Sequence, residues 1–197
     1  MIPESLLQKY QGKIKEFQSG DFIFREGTYS HNYFQILEGK VKLNNYSDDG
    51  KEFIQNIIEA PHCFGETFLF LKELYPINAI AIEKSKIIEV PNAHFSLLLT
   101  EHPNYAAELN KNMAERMYFK MLMSQNFNSR NSENRLKTLL DYFKHTHQKP
   151  HQDEYIIPLT RQQIANITGL CVETVIRSIK NMERKGMLRI RDRKIYY

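Results

Sequence analysis

The sequence predicts an α+β chain of two small domains joined by a long helix, and three observations predict it. Short apolar segments punctuated by glycine fill the first half, a stretch without Pro or Gly runs from about Asn104 to Asn126, and Leu159 to Arg177 reads as two short helices around Gly169. A chain of 197 residues with 42% hydrophobic residues can bury a core in each of two small domains.

The first domain is read from its turns. Gly20, Gly27, Gly39, Gly50 and Gly65 separate apolar segments at Phe22 to Phe24, Tyr33 to Leu37, Val41 to Leu43, Phe53 to Ile58, Ile77 to Ile82 and Ile87 to Val90. Strands spaced roughly 8–12 residues apart with turn signals between them predict a sandwich or barrel. Ser47-Asp48-Asp49-Gly50 is the clearest hairpin turn. The start, Met1-Ile2-Pro3-Glu4-Ser5, reads as polar rather than as a signal peptide, and no apolar run reaches the ~18 residues of a membrane span. A cytoplasmic location without a membrane partner is the expectation. Cys63 and Cys171 are too few for a disulfide framework and are read as reduced thiols.

The long helix carries Ala106, Leu109, Met113, Met117, Met121 and Ser124 at mixed three- and four-residue steps, a stripe that suits a second helix. Leu109, Met113, Met117, Met121 and Ser124 are therefore the expected dimer seam, with an intramolecular core helix as the alternative. Lys120 falls near that seam and fits neither use well. Asn126 to Asn131 breaks the helix and forms the expected hinge, and Ser132 with Glu133 begins another helix running to about Lys144. Residues 1–103, 104–127 and 128–197 thus form the β domain, the connecting helix and the second domain.

In the second domain Thr160 is a good N-cap, and Gln163 three residues on completes a capping box. Ile164, Ala165 and Ile167 give the first helix an apolar side, and Gly169 can take the left-handed conformation that ends it. The second helix runs from about Cys171 to Lys185. Val175, Ile179 and Met182 recur on its inner side, while Val172, Glu173, Ile176, Arg177, Lys180 and Arg184 fall outward. A helix with one buried and one basic face, held across a shorter helix, is the geometry that enters a DNA major groove. After Gly186, residues 187 to 197 alternate Leu188, Ile190 and Ile195 with Arg189, Arg191, Arg193 and Lys194, as in a two-stranded wing turning near Asp192.

Charge is distributed accordingly. Residues 128–197 hold 14 Lys+Arg against 7 Asp+Glu, net +7, whereas residues 1–127 hold 13 against 16, net −3. A local positive excess of this kind suits double-stranded DNA, whose phosphates supply most non-specific affinity through counterion release. A winged helix used for protein contact, or a helical bundle with merely solvated charges, is the competing reading.

The order Gly20-x6-Gly27, Gly39, Gly65-Glu66, long helix, hinge, Thr160-Arg161-Gln162 and Glu173-Thr174-Val175-x-Arg177 resembles the bacterial family of the cyclic AMP receptor protein and the fumarate and nitrate reductase regulator, the Crp/Fnr family. The resemblance covers nearly the whole chain. It implies an N-terminal β-roll of the cyclic-nucleotide-binding jelly-roll type as effector domain, a dimerisation helix, and a C-terminal winged helix-turn-helix in a homodimeric transcription regulator. It implies further that Glu173 and Arg177 read G·C pairs, the Arg on guanine O6 and N7 and the Glu on cytosine N4, and that Thr160, Arg161 and Gln162 contact phosphate. Val172 stands where one branch of the family has arginine and the other valine, and an apolar group there suits a thymine methyl, which favours a TTGA-type half-site. Ile176 departs from the small residue usual in both branches. Thr174, Lys180, Arg191 and Arg193 complete the expected DNA-binding set.

At the effector pocket the resemblance fails. Gly65 and Glu66 match, but Ile77 and Asn78 stand where the family's cyclic-nucleotide binders place the Arg-Ser pair that holds the phosphate, and the helix positions that meet adenine become Lys120 and Met121. Losing a charge-assisted hydrogen-bond pair costs roughly 1.5–3 kcal/mol per bond, so cyclic AMP is not the expected ligand. Lys120 is a poor replacement for a bidentate guanidinium. Residues 1–62 contain no cysteine, which excludes a four-thiolate iron-sulfur cluster. His62-Cys63 leaves haem as an alternative cofactor, and with it a gas- or redox-sensing regulator on the same fold, against the plainer reading of a polar loop residue beside a buried thiol. His145, His147 and His151 read as an exposed loop rather than a zinc site, and in the resembling family that loop can touch RNA polymerase. A cyclic-nucleotide-responsive subunit acting on a protein partner would need the phosphate-binding Arg that is missing. No Ser/His/Asp arrangement, phosphate-cradling glycine loop or paired-carboxylate motif points to an enzyme.

Overall fold

The computed structural model describes residues 1–127, 131–147 and 154–197, which form two compact units, Met1–Ala114 and Glu115–Tyr197. Residues 128–130 of the expected hinge and His151 of the histidine cluster lie outside the described residues, whereas His145 and His147, expected in a loop, belong to the last turn of a helix that ends at His147.

The first unit is built from two antiparallel four-stranded sheets. One has the order β1 (Lys13–Phe17), β8 (Ser85–Pro91), β3 (Asn32–Glu38), β6 (Cys63–Phe64). The other has the order β2 (Phe22–Phe24), β7 (Asn78–Ala81), β4 (Lys40–Tyr46), β5 (Glu52–Glu59). The β4–β5 hairpin turns at Ser47–Gly50, as expected, with the Gly50 amide donating to the Ser47 carbonyl at 2.8 Å.

Strands β3 and β8 explain the apolar runs seen in the sequence. Phe34, Ile36 and Ile87 face one core together with Phe24, Val41, Leu43, Ile58, Phe64, Tyr75 and Ala79. Tyr33, Ile88 and Val90, one residue out of phase, face a second core with Ile2, Leu7, Cys63, Leu69, Phe95, Leu98 and Leu109. A strand buried on both faces loses its polar alternation and reads as continuous hydrophobicity.

Three short helices were not foreseen in the sequence: α1 (Glu4–Lys9), α2 (Glu66–Leu71) and α3 (Asn92–Glu101). The start of the chain, read as polar, is instead anchored: Ile2 and Leu7 are buried, and the Ile2 carbonyl accepts from the Gln35 amide at 2.9 Å. One fully buried residue, Leu7, in a helix of only six residues leaves too little periodicity to reveal it.

The long helix α4 spans Pro103–Phe127, close to its expected limits. Its stripe is divided. Leu109 is buried in the first unit's own core, with Met113 packed against it, while Met117, Met121 and Ser124 are exposed. The two positions nearest the β domain are therefore used within the chain, where Leu109 joins Leu7, Leu69, Phe95 and Leu98 of the short helices in covering the second core.

In the second unit α5 (Ser132–His147) buries Leu136, Leu139 and Leu140 against α6 (Arg161–Thr168) and α7 (Val172–Arg184). Phe119 of α4 lies against Tyr142 of α5 with ring centroids 4.4 Å apart. A three-stranded sheet of order β10 (Arg189–Arg191), β11 (Lys194–Tyr196), β9 (Ile156–Ile157) closes the unit. Among the described residues no helix is long and apolar enough to cross a membrane.

Candidate nucleic-acid interface

The helix pair α6–α7 is set by its caps. The Thr160 side chain accepts from the Gln163 amide at 3.1 Å, and the Gln163 side chain accepts from the Thr160 amide at 2.9 Å, the reciprocal capping box that the spacing predicted. Gly169 ends α6 at φ 68°, a left-handed position that favours glycine, and Cys171 caps α7. The Cys171 thiol lies 2.9 Å from the Thr174 hydroxyl, and that contact, with the Thr174 backbone amide, lowers its pKa from the ordinary thiol value.

Helix α7 buries Val175, Ser178, Ile179 and Met182. Its other side exposes Glu173, Ile176, Arg177 and Lys180, with Val172 and Thr174 half-buried at its start. Glu173 and Arg177 lie one turn apart on that outer face. Arg177 and Lys180 have no acidic partner among the described residues. The orientation of α7 is locked from behind. Glu133 of α5 accepts from Asn181 and pairs with Lys185 at 2.6 Å, and the Ser132 and Ser178 hydroxyls meet at 2.8 Å.

At the start of α6, Gln162 is exposed and bonded to Asn166 at 2.9 Å, and Arg161 is half-buried. Burial lowers the Arg161 pKa, and Glu183 opposes that shift. Glu183 also holds the wing, accepting from the Ile190 amide at 2.8 Å.

The wing turns on Asp192 and Arg193, both left-handed with φ 48° and 62°. Arg193 and Lys194 are exposed. Arg191, expected to lie open to phosphate, instead shares a carboxylate: Glu154 pairs with Arg189 at 3.0 Å and reaches Arg191 at 3.9 Å. Arg189 and Arg191 point to one side of β10 because they are two residues apart on a strand. Neither Glu154 nor Glu183 was foreseen. Glu154 meets arginines distant in sequence through a sheet closed by strand β9, a two-residue element without a detectable pattern, and Glu183 bonds a backbone amide, which no side-chain pattern marks.

Of the residues that the resemblance places at the effector pocket, Gly65, Glu66, Ile77 and Asn78 lie in the first unit. Gly65 caps α2 at φ 77°, a left-handed position that favours glycine, and a Cβ there would lie tight against the Phe24 ring at 3.1 Å and in ordinary contact with the Tyr75 ring at 3.5 Å. Those two rings stack with centroids 3.7 Å apart. Glu66 is fully buried. Burial, followed by the charges of Glu66 and Glu89, pushes the Tyr75 hydroxyl above its ordinary pKa, and that hydroxyl has no hydrogen-bond partner among the described residues. Ile77 packs on the intersheet core. Asn78 is spent on backbone, accepting from the Glu26 amide at 3.0 Å and donating to the Asn44 carbonyl at 3.4 Å. Lys120 and Met121 are exposed on the part of α4 assigned to the second unit. Cys63 is 1% exposed, while His62 is exposed with Nδ1 3.1 Å from the Glu59 carbonyl oxygen.

A family model described as a cyclic nucleotide-binding domain matches residues 14–102, and one described as a Crp-like helix-turn-helix domain matches residues 134–197. The transcriptional activator protein FnrA of Stutzerimonas stutzeri is 23% identical over 176 residues, covering 88% of this chain and 72% of that protein. The cAMP-activated global transcriptional regulator Vfr of Pseudomonas aeruginosa is 26% identical over 182 residues, covering 90% and 85%. In fold, a CooA variant from Carboxydothermus hydrogenoformans superposes with a TM-score of 0.82 at 16% identity, over all of this chain and 86% of that one. A β-rich unit of the cyclic-nucleotide-binding type, a long helix and a capped helix-turn-helix with a wing, matched in this order, place the chain in the Crp/Fnr family of transcription regulators.

Proposed function

We propose that the chain acts as a cytoplasmic homodimer that binds a palindromic, TTGA-like DNA site and regulates transcription without control by cyclic AMP. The observation that carries this reading is the outer face of α7, where Glu173 and Arg177 stand one turn apart on a helix whose inner face is fully packed. Arg177 pairs with guanine, Glu173 accepts from cytosine, and Val172 meets a thymine methyl. Thr160, Arg161, Gln162 and the wing arginines grip phosphate and set register. In this reading residues 1–103 form the effector domain, 104–127 the dimerisation helix and 128–197 the DNA-binding domain, whose surface also serves RNA polymerase.

Cyclic AMP does not fit the residues that would receive it. A cyclic phosphate needs a cation and free donors, whereas Ile77 is committed to the core and Asn78 to backbone groups. Calorimetry at millimolar cyclic AMP is expected to show no saturable heat; saturable binding at micromolar concentration overturns this part of the reading. A haem thiolate from Cys63 is disfavoured by the same unit, which buries that thiol in its second core.

The deciding experiment is selection of binding sites from random duplexes by the purified protein without added ligand. A palindrome whose half-sites lie about 10–10.5 bp apart, or a multiple of that spacing, supports the reading, since a dimer's two recognition helices enter successive major grooves on one side. Absence of any sequence preference overturns it in favour of a protein-binding winged helix.

A further inference from the structure

We infer that Ile176 is a specificity-determining residue that reads a thymine C5-methyl beside the G·C pair met by Glu173 and Arg177. The inference rests on the DNA-binding reading and adds a base to it.

Helix α7 separates its residues sharply. Val175, Ser178, Ile179 and Met182 are buried, and Glu173, Arg177, Lys180 and Arg184 are exposed. Ile176 breaks that separation: it is 40% exposed, an aliphatic side chain set among charges. Local preference does not account for it, because a β-branched residue is a weaker helix former than the Ala, Lys or Gln an exposed position tolerates. Packing does not account for it either, since the inner face of α7 is already filled by residues at helical spacing.

The placement gives it a partner. Val172 and Ile176 are four residues apart and so stack on one side of the helix, as do Glu173 and Arg177 one residue further on. The outer face is thus two parallel rows, one aliphatic and one ionic. The floor of a major groove offers hydrogen-bonding edges at every base pair but a saturated carbon group only at thymine. An ionic row over a G·C pair with an aliphatic row beside it is complementary to a G·C pair flanked by thymines. Val172 accounts for one thymine, and Ile176, one turn further along the same row, is placed to meet another.

Single exposed aliphatic residues are common on protein surfaces, so the test must report on the methyl group itself. Once the site is selected, each thymine of one half-site is replaced in turn by deoxyuridine, which removes one methyl and leaves pairing intact. The wild-type protein is expected to lose about three- to fourfold in affinity at one thymine flanking the G·C pair, the scale of one buried methyl. Ile176→Ala should bind the thymine site correspondingly less well and be indifferent to uracil at that position, while Arg177→Ala should keep the uracil penalty. Ile176 is on the surface, and circular dichroism with thermal melting verifies that Ile176→Ala is folded. If no uracil weakens the wild-type protein, or if Ile176→Ala pays the same uracil penalties as wild type, the inference is overturned while the regulator reading stands. A protein that selects no sequence at all overturns the regulator reading first, so the two failures are distinguishable.

Discussion

Arg177 and Arg191 are both exposed arginines of the second unit, and their surroundings give them different work. Arg177 has no acidic partner among the described residues and projects from a rigid helix, whereas Arg191 shares Glu154 with Arg189. Arg177→Ala is expected to weaken binding by roughly 1–3 kcal/mol per contact and to flatten preference at a single base pair, read by anisotropy titrations over a set of variant sites. Glu154→Gln should do the reverse, releasing the wing arginines and raising affinity for all duplexes alike, with the slope of log K against log salt steeper by about one unit. An unchanged slope would mean that Glu154 only orients the wing. The place of Arg177 was legible in the sequence because its position one turn beyond Glu173 on the outer face follows from helical spacing alone. The hold of Glu154 on Arg189 was not legible, since it depends on a sheet closed by two residues of β9.

Elements were legible in proportion to their length and to the one-sidedness of their burial. The capping box of α6, the limits of α4 and the β4–β5 hairpin follow from local chemistry. Strands β1 and β6 and helices α1, α2 and α3 escaped notice because edge exposure in β1, short length in β6, α1 and α2, and a continuous Leu97-Leu98-Leu99 run in α3 leave no period to read. Thr160→Ala should cost about 1 kcal/mol of stability by leaving an N-terminal donor of α6 without its cap, seen as a lower melting temperature. The junction of α5 and α7 carries a pH dependence. Lys185, and then Asn181, hold the Glu133 carboxyl below its ordinary value of 4.5. A carboxyl depressed in the folded state stabilises it fully above its unfolded pKa and ceases to do so as pH falls through the lowered folded value. The melting difference between wild type and Glu133→Gln should therefore be constant near neutrality and shrink on acidification below about pH 4.5; a difference that grows in acid would contradict the assignment.

For the whole molecule, the division into a β-rich part, a helix and a basic helical part was readable from glycine spacing and charge. The use of the long helix was not. Leu109 and Met113 look identical in pattern to Met117 and Met121, yet Leu109 lies in a core with Ile2 and Phe95 while Met117 is 65% exposed. Periodicity reports which residues share a face and not what covers it. Met117→Glu is accordingly the informative variant for the proposed dimer: light scattering should show a monomer with an intact fold, because a carboxylate is tolerated on an exposed surface but costs several kcal/mol when buried without a partner in a seam. An unchanged dimer would remove α4 from the interface. Leu109→Glu would instead disrupt the first unit, and loss of the dimer in that variant would say nothing about the seam.

The tip of the wing sets fold stability against electrostatics. A two-residue hairpin turn with both φ values positive is most comfortable as Asp-Gly, and this chain has Asp192 followed by arginine in a conformation where a side chain costs roughly 1–2 kcal/mol. Arg193→Gly should consequently raise the melting temperature while lowering affinity for every DNA sequence to a similar extent, so that heat resistance and DNA retention change in opposite directions through one substitution. A selection for thermostability alone would tend to remove this arginine, and a selection for retention on DNA would restore it.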